Sequence, residues 1–205
     1  MNEICKLTAR YPSLCSCENE ILAAAELMAQ TYAHGGKILL CGNGGSASDC
    51  EHIAGELLKG FLLPRKVENK KVPAEIREKL QGSLPAVALP SLTAALTASI
   101  NDLDAEFVYA QLLYGLAKEG DLLIAISTSG NSKNVLRAAE LARAIGVKTL
   151  ALTGAGGGKL AEFADVAICV PESETYLVQE LHLPVYHFLC AETERRIFQP
   201  FGDFN

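Results

Sequence analysis

The sequence has no basic excess: 18 Lys and Arg stand against 24 Asp and Glu, a formal charge of −6. Nucleic-acid surfaces rely on clustered cations, so the balance argues against a nucleic-acid partner, and any anionic ligand has to be held locally. No apolar run approaches the roughly 20 residues that cross a bilayer, and no membrane partner is expected. The start Met1-Asn2-Glu3-Ile4-Cys5 lacks the basic region and apolar stretch of a secretory signal. Cysteines number seven, an odd count. The only close pair, Cys15-Ser16-Cys17, has no second pair at the spacing of a zinc clip. A reducing, cytoplasmic location is the expectation. Nucleotide signatures are missing as well. The Walker pattern requires Gly-Lys-Ser/Thr, and Gly42-Asn43-Gly44-Gly45-Ser46 lacks a third glycine at dinucleotide spacing, so no nucleotide cofactor is expected.

What is present is an ordinary globular composition, 49% hydrophobic and 20% charged over 205 residues, which suits one α/β domain spanning 1–205 with a helical extension. Apolar residues recur at helical spacing from Glu18 to about His34 and stop at Gly35-Gly36. The strand Lys37–Cys41 follows, then a glycine corner and a helix from about Ala47 to Lys59. Residues 62–83 are the least regular part. They carry Pro64, the basic residues Arg65, Lys66, Lys70 and Lys71, and a short helical stretch after Pro73, a pattern expected of a solvated or mobile insertion.

Beyond the insertion, strand and helix alternate. Strands are expected at Ala86–Leu89, Asp121–Ile126, Thr149–Leu152 and Val166–Val170. Helices are expected at Ser91–Ile100, broken by Asn101-Asp102, at Glu106–Lys118, at Lys133–Ile145, and from Thr175 to about Phe198, where Pro184 should kink or split the last one. The economical architecture is a doubly wound parallel sheet of five strands flanked by helices, with ligands bound at the carboxyl ends of the strands.

Three of those ends carry glycine, serine and threonine loops, the third being Thr153–Gly158, and two of them carry chemistry. Ser127-Thr128-Ser129-Gly130-Asn131-Ser132 offers four hydroxyls and a helix N-terminus after an apolar strand, which suits a phosphate monoester; the plainer alternative is an N-cap with a Ser/Thr turn. The glycine corner brings backbone N–H groups and Ser46 to a second helix start, and His52 and Glu56, four apart, share one face of that helix. Such a pair is able to chelate a metal. Gln179 and His187 lie about 80° apart around an ideal helix and can converge with that pair across subunits. His34 and His182 are expected to be structural.

Gly42-Asn43-Gly44-Gly45-Ser46 with His52-Ile53-Ala54-Gly55-Glu56-Leu57, the run Ile126–Ser132, and Val178-Gln179-Glu180-Leu181-His182 together resemble the phosphoheptose isomerases of the sugar-isomerase (SIS) domain superfamily. The similarity runs from about Ile21 to Arg195 and is interrupted by the insertion. It implies an SIS-type fold with N- and C-terminal helices for oligomerisation. It also implies aldose–ketose isomerisation of a phosphorylated sugar, foremost sedoheptulose 7-phosphate, in active sites shared between subunits of a homotetramer.

Glu56 falls at the family's general base and His187 at its general acid; His52, Glu56, Gln179 and His187 fall at positions that hold zinc in some members. Asn43, Gly44, Ser46, Asp102, Ser127, Thr128, Ser129, Ser132 and Gln179 fall at substrate contacts. Two departures stand out. Gly60-Phe61 replaces a common Arg-Tyr, leaving a basic contact to Lys59 or Arg65, and Tyr176 stands where an aspartate is frequent. The alternative reading is a non-catalytic SIS module that binds phosphosugars or partners, like the replication-initiation regulators that resemble this family. The presence of both Glu56 and His187 favours the enzyme.

Overall fold

The computed structural model describes residues 3–199. Its centre is a parallel sheet of β1 (Ile38–Cys41), β2 (Ala86–Ala88), β3 (Leu122–Ile126), β4 (Lys148–Thr153) and β5 (Val166–Cys169), in the order β2-β1-β3-β4-β5. The helices among the described residues are α1 (Glu3–Arg10), α2 (Glu18–Ala33), α3 (Gly45–Leu58), α4 (Ala74–Arg77), α5 (Thr93–Asp102), α6 (Val108–Leu116), α7 (Lys133–Ala144), α8 (Gly158–Phe163) and α9 (Thr175–Phe198).

The two faces of the sheet follow from the two-residue period of a strand. Ile38, Leu40, Leu122, Ile124, Ile126, Leu150 and Leu152 turn to one side, into a core shared with α2, α3 and α9. Leu39, Cys41, Leu123, Ala125 and Ala151 turn to the other and meet α6 and α7. Every residue of β1 and β3 is buried, and each fully buried Leu or Ile contributes about 1.5–3 kcal/mol. This double burial is why the strands are continuous apolar runs.

The strand order positions the site. β1 pairs with β2 on one edge and with β3 on the other. The helix after β1 packs on one face and the helix after β3 on the opposite face, so the chain leaves these neighbouring strands in divergent directions. A crevice opens at their carboxyl ends, the switch point of an α/β sheet.

Two expectations are corrected. α9 runs unbroken through Pro184 for 24 residues. Val178, Val185, Tyr186, Leu189 and Cys190 on it are buried, and that packing outweighs one missing backbone N–H. Asn101 and Asp102 belong to the last turn of α5, and the chain departs only at Leu103, whose φ of −120° and ψ of −144° are not helical. The insertion is largely exposed, as expected, and α4 within it buries none of its residues, but its base is tied down. Gly60 N–H donates to Gln81 Oε1 at 2.9 Å, Gly82 N–H to Arg65 O at 2.8 Å, and Leu84 N–H to Leu57 O at 3.0 Å, so its base is closed, while Lys66, Lys70 and Lys71 remain exposed.

Candidate active site

The corner after β1 turns on Gly44, whose φ of 57° and ψ of −123° are open only to glycine without strain. Gly45 then starts α3, and a Cβ there would meet Gln179 Nε2 at 2.5 Å. The amide of Gln179, from the first turns of α9, therefore rests directly on the corner's backbone. Asn43 and Asn134 exchange hydrogen bonds, Nδ2 to Oδ1 at 2.8 Å and the reverse at 2.9 Å, which ties the corner to α7. Tyr109 donates its hydroxyl hydrogen to Gly42 O at 2.5 Å from below.

About two turns farther along α3, its packing against α9 assembles a polar centre. His52 Nε2 lies 3.3 Å from Glu56 Oε1, one turn along α3, and 3.4 Å from His187 Nε2 on α9. The two imidazoles meet edge to face, with ring centroids 5.0 Å apart at 82°. Phe61 covers His187 from the insertion side at 5.7 Å. Burial, followed by the neighbouring His52, holds the His187 imidazole below its usual pKa, with Glu56 pulling the other way. Lys59 Nζ sits 3.2 Å from the second oxygen of Glu56. It is the basic side chain beside the centre. Arg65 is not, because its side chain is fully buried against Glu194, and its predicted role as a replacement sugar contact is corrected on that ground.

Across the crevice, the loop after β3 is bound to its neighbour loop. Gly130 has φ +64°, and a Cβ on it would meet Gly157 O at 2.0 Å. Leu160 N–H donates to Gly130 O at 3.0 Å and Gly154 N–H to Thr128 O at 3.0 Å. Ser127 Oγ donates to Ser132 Oγ at 3.0 Å. Ser132 occupies the N-cap position of α7 without a side-chain capping bond, while Ser129 Oγ accepts from Asn131 N–H at 3.2 Å, a Ser/Thr turn within the loop.

Not every expected residue comes to this centre. Asp102 is exposed at the end of α5, where it accepts from Asn101 Nδ2 at 2.7 Å, and Tyr176 is exposed at the start of α9. Gln179 makes no hydrogen bond with His52, Glu56 or His187 among the described residues. His182 is buried and His34 is an exposed helix end bonded to Gln30 O, as expected of structural residues. Sequence reasoning missed Asp49 and Tyr186, which stand behind His52: Tyr186 O–H donates to Asp49 Oδ1 at 3.3 Å and its oxygen is 3.0 Å from His52 Nδ1. Asp49 precedes His52 by one turn on the same face, a spacing that pointed to it in principle; nothing local pointed to Tyr186.

For a tetrahedral zinc with bonds of about 2.0–2.1 Å, neighbouring ligand atoms stand about 3.3–3.4 Å apart. The separations of His52 Nε2 from Glu56 Oε1 and from His187 Nε2 match that edge. Both share His52, however, and among the described residues no group of three or more His, Cys, Asp or Glu closes as a metal centre. The donor set fits zinc in chemistry and along two edges; the third edge requires Glu56 and His187 to close on each other.

A family model described as the SIS domain matches residues 13–154. The phosphoheptose isomerase of Akkermansia muciniphila is 40% identical over 197 residues, 96% of each chain. That of Desulfovibrio desulfuricans is 45% identical over 172 residues, 84% of this chain and 74% of the relative. Among solved structures, phosphoheptose isomerase GmhA from Neisseria gonorrhoeae aligns with a TM-score of 0.77 at 35% identity, covering 94% of this chain and 93% of that one. With similarity running the length of the sheet, the switch-point loops and α9, the chain belongs to the phosphoheptose isomerase family of SIS domain proteins.

Proposed function

We propose that the chain isomerises sedoheptulose 7-phosphate to an aldoheptose 7-phosphate, with Glu56 as base and His187 as acid. The chain is an isomerase by family. The observation that carries the assignment of roles is the meeting of Glu56, His52 and His187 where α3 packs against α9.

The roles follow from the chemistry. Glu56 removes the proton on C1, next to the C2 carbonyl, while His187 protonates O2, giving an enediol. Return of the proton to C2 and loss of the O1 proton to His187 give the C1 aldehyde. A carboxylate paired with an imidazole held below its usual pKa is suited to this exchange near neutral pH. Ser127, Thr128, Ser129 and Ser132, with the N-terminus of α7, hold the phosphate. Ser46, Asn43 and the Gly44 backbone, with Gln179 at the corner, line the sugar, and Lys59 supplies positive charge beside Glu56. His52, Glu56 and His187, with Gln179 as further ligand, would hold a zinc ion, which would supply a Lewis acid for the carbonyl oxygen. Both proton-transfer positions are filled and the relatives are named as isomerases, so the non-catalytic alternative is not favoured.

Residues 1–205 form one SIS unit in this reading, with an insertion at 62–83, acting as a homotetramer in the cytoplasm. α5 buries none of its residues, and Ile100, Leu103 and Phe107 are exposed around it. A neighbouring copy covers that face and receives Asp102 into its own crevice. No helix among the described residues is long and apolar enough to cross a membrane.

Incubation with sedoheptulose 7-phosphate, with and without added zinc, tests the assignment, and light scattering tests the assembly. Turnover lost in Glu56→Gln is the expected result. No turnover in the unmodified protein, or unchanged turnover in that variant, overturns it.

A further inference from the structure

The hydroxyl of Tyr186 stands between a carboxylate and an imidazole, and its single hydrogen decides the state of both. It donates to Asp49 Oδ1 at 3.3 Å. An ionised carboxylate only accepts, so the 3.0 Å contact between the tyrosine oxygen and His52 Nδ1 requires a hydrogen on Nδ1. A neutral imidazole has one N–H, which leaves Nε2 with its lone pair. Nε2 is the atom that faces His187 Nε2 at 3.4 Å and Glu56 Oε1 at 3.3 Å. We infer that Asp49 and Tyr186 are positioning residues that fix His52 as the Nδ1–H tautomer, presenting Nε2 as an acceptor toward His187 and as a ligand atom for a zinc-class cation.

The other arrangements are poorer. With the hydrogen on Nε2, Nδ1 and the tyrosine oxygen are two acceptors 3.0 Å apart with no proton between them; the favoured tautomer instead sets the Nε2 lone pair 3.3 Å from Glu56 Oε1, a repulsion that a cation held between the two relieves. Turning the hydroxyl toward His52 instead removes the hydrogen bond of Asp49 Oδ1. Asp49 Oδ2 is already buried without a partner among the described residues, so the carboxylate would be left with neither oxygen paired. An unpaired buried charge is costlier than an unpaired neutral nitrogen. Tyr186 is 2% exposed, and its ring meets both His52 and His187 edge-on, at 5.4 and 5.0 Å between centroids, so it has little freedom to reorient. A carboxylate acting on a ligating histidine through an intervening group is the outer-shell arrangement that sets tautomer and ring orientation at metal sites.

The inference rests on the reading of Glu56 and His187 given above, but its test does not need the sugar. Ring-nitrogen NMR of the metal-free protein at mildly alkaline pH reports the His52 tautomer, with His52→Gln identifying its signals. Protonated Nδ1 and bare Nε2 are expected. Tyr186→Phe removes only the hydroxyl. In it the tautomer should shift toward Nε2–H, zinc affinity by calorimetry should fall about ten- to a hundred-fold, and kcat should fall with KM unchanged.

A wild-type His52 carrying its hydrogen on Nε2 overturns the inference. So does a Tyr186→Phe protein that keeps both the tautomer and the zinc affinity. If that variant fails to fold, the wild-type tautomer decides alone. Absence of turnover with the expected tautomer counts against the proposed reaction only.

Discussion

Arg65 and Glu194 are 129 residues apart in sequence, and their side chains meet at 2.6 Å with neither exposed to solvent. Glu194 also accepts the N–H groups of Phe61, Leu62 and Leu63, at 2.8, 2.8 and 3.1 Å. Arg65 donates to Leu57 O at 2.6 Å and Glu56 O at 3.2 Å, satisfying carbonyls at the end of α3. The pair thus joins the helix of the proposed base to the helix of the proposed acid. Burial pushes the Glu194 carboxyl up, but the N–H groups and the guanidinium outweigh it and hold it below the usual range.

Removing one partner leaves a buried, uncompensated charge. Arg65→Met or Glu194→Leu should each lose about 3–5 kcal/mol in urea unfolding. The double variant should lose less than the sum, without full recovery, since three N–H groups still lack their acceptor. A loss under about 1 kcal/mol in either single variant would show that the pair does not hold the insertion.

Glu56→Gln keeps the shape and the neighbours while removing the basic oxygen. Loss of general base catalysis corresponds to a fall in kcat of about 10²–10⁴-fold, with KM nearly unchanged because the proposed phosphate contacts lie on the β3 loop and not on α3. Thermal unfolding should move little, as the Glu56 contacts with His52 and Lys59 are at the surface side of α3, where Lys59 is exposed. A large rise in KM with kcat retained would make Glu56 a binding residue.

The β-strands were legible because Leu39, Leu123 and their neighbours are buried on both faces, which writes continuous apolar runs into the sequence. The glycine corner and the hydroxyl loop were legible for a similar local reason, each marking a strand end. Arg65 was misread because a cation among prolines and lysines looks solvated; its partner is far away in the chain, and no local pattern encodes a pairing made by α9. Tyr186 was missed for the same cause: beside Val185 and Leu189 it reads as core, and only the crossing of α3 and α9 gives its hydroxyl a task. Pro184 was judged by local cost alone, against the packing of an entire helix.

Stability should fall on mild acidification. His182 is fully buried, its Nδ1 without a partner among the described residues and its Nε2 3.3 Å from Thr153 O. Burial lowers its pKa from 6.5 to about 4, against that one hydrogen bond. Above the unfolded pKa both states are neutral and there is no pH dependence. Between pH 6.5 and about 4 the unfolded chain binds the extra proton, so stability drops as pH falls, by about 3 kcal/mol in all. Glu192 and Glu194 are held below their usual range and stay ionised through the upper part of this window, while His187 shifts in the same direction as His182. Urea unfolding between pH 7.5 and pH 5, in wild type and His182→Gln, checks this; an equal slope in the two proteins would assign the loss elsewhere.

Two glycines with positive φ separate strain from crowding at the site. At Gly44, φ +57°, a Cβ would meet nothing within 4 Å, so Gly44→Ala carries only the backbone penalty of about 1–3 kcal/mol. At Gly130, φ +64°, the same atom would lie 2.0 Å from Gly157 O, 2.7 Å from its carbonyl carbon and 2.9 Å from Gly158 Cα. All three are backbone atoms of the adjoining loop, which cannot yield as a flexible side chain does. Gly130→Ala should therefore lose more stability than Gly44→Ala by at least about 1 kcal/mol. It should also part the hydroxyl loop from its neighbour, raising KM for the sugar phosphate and weakening inhibition by inorganic phosphate, whereas Gly44→Ala should act chiefly on kcat through the aim of α3. Equal stability losses, or a phosphate affinity untouched by Gly130→Ala, would show that the packing of the two loops does not shape the phosphate site.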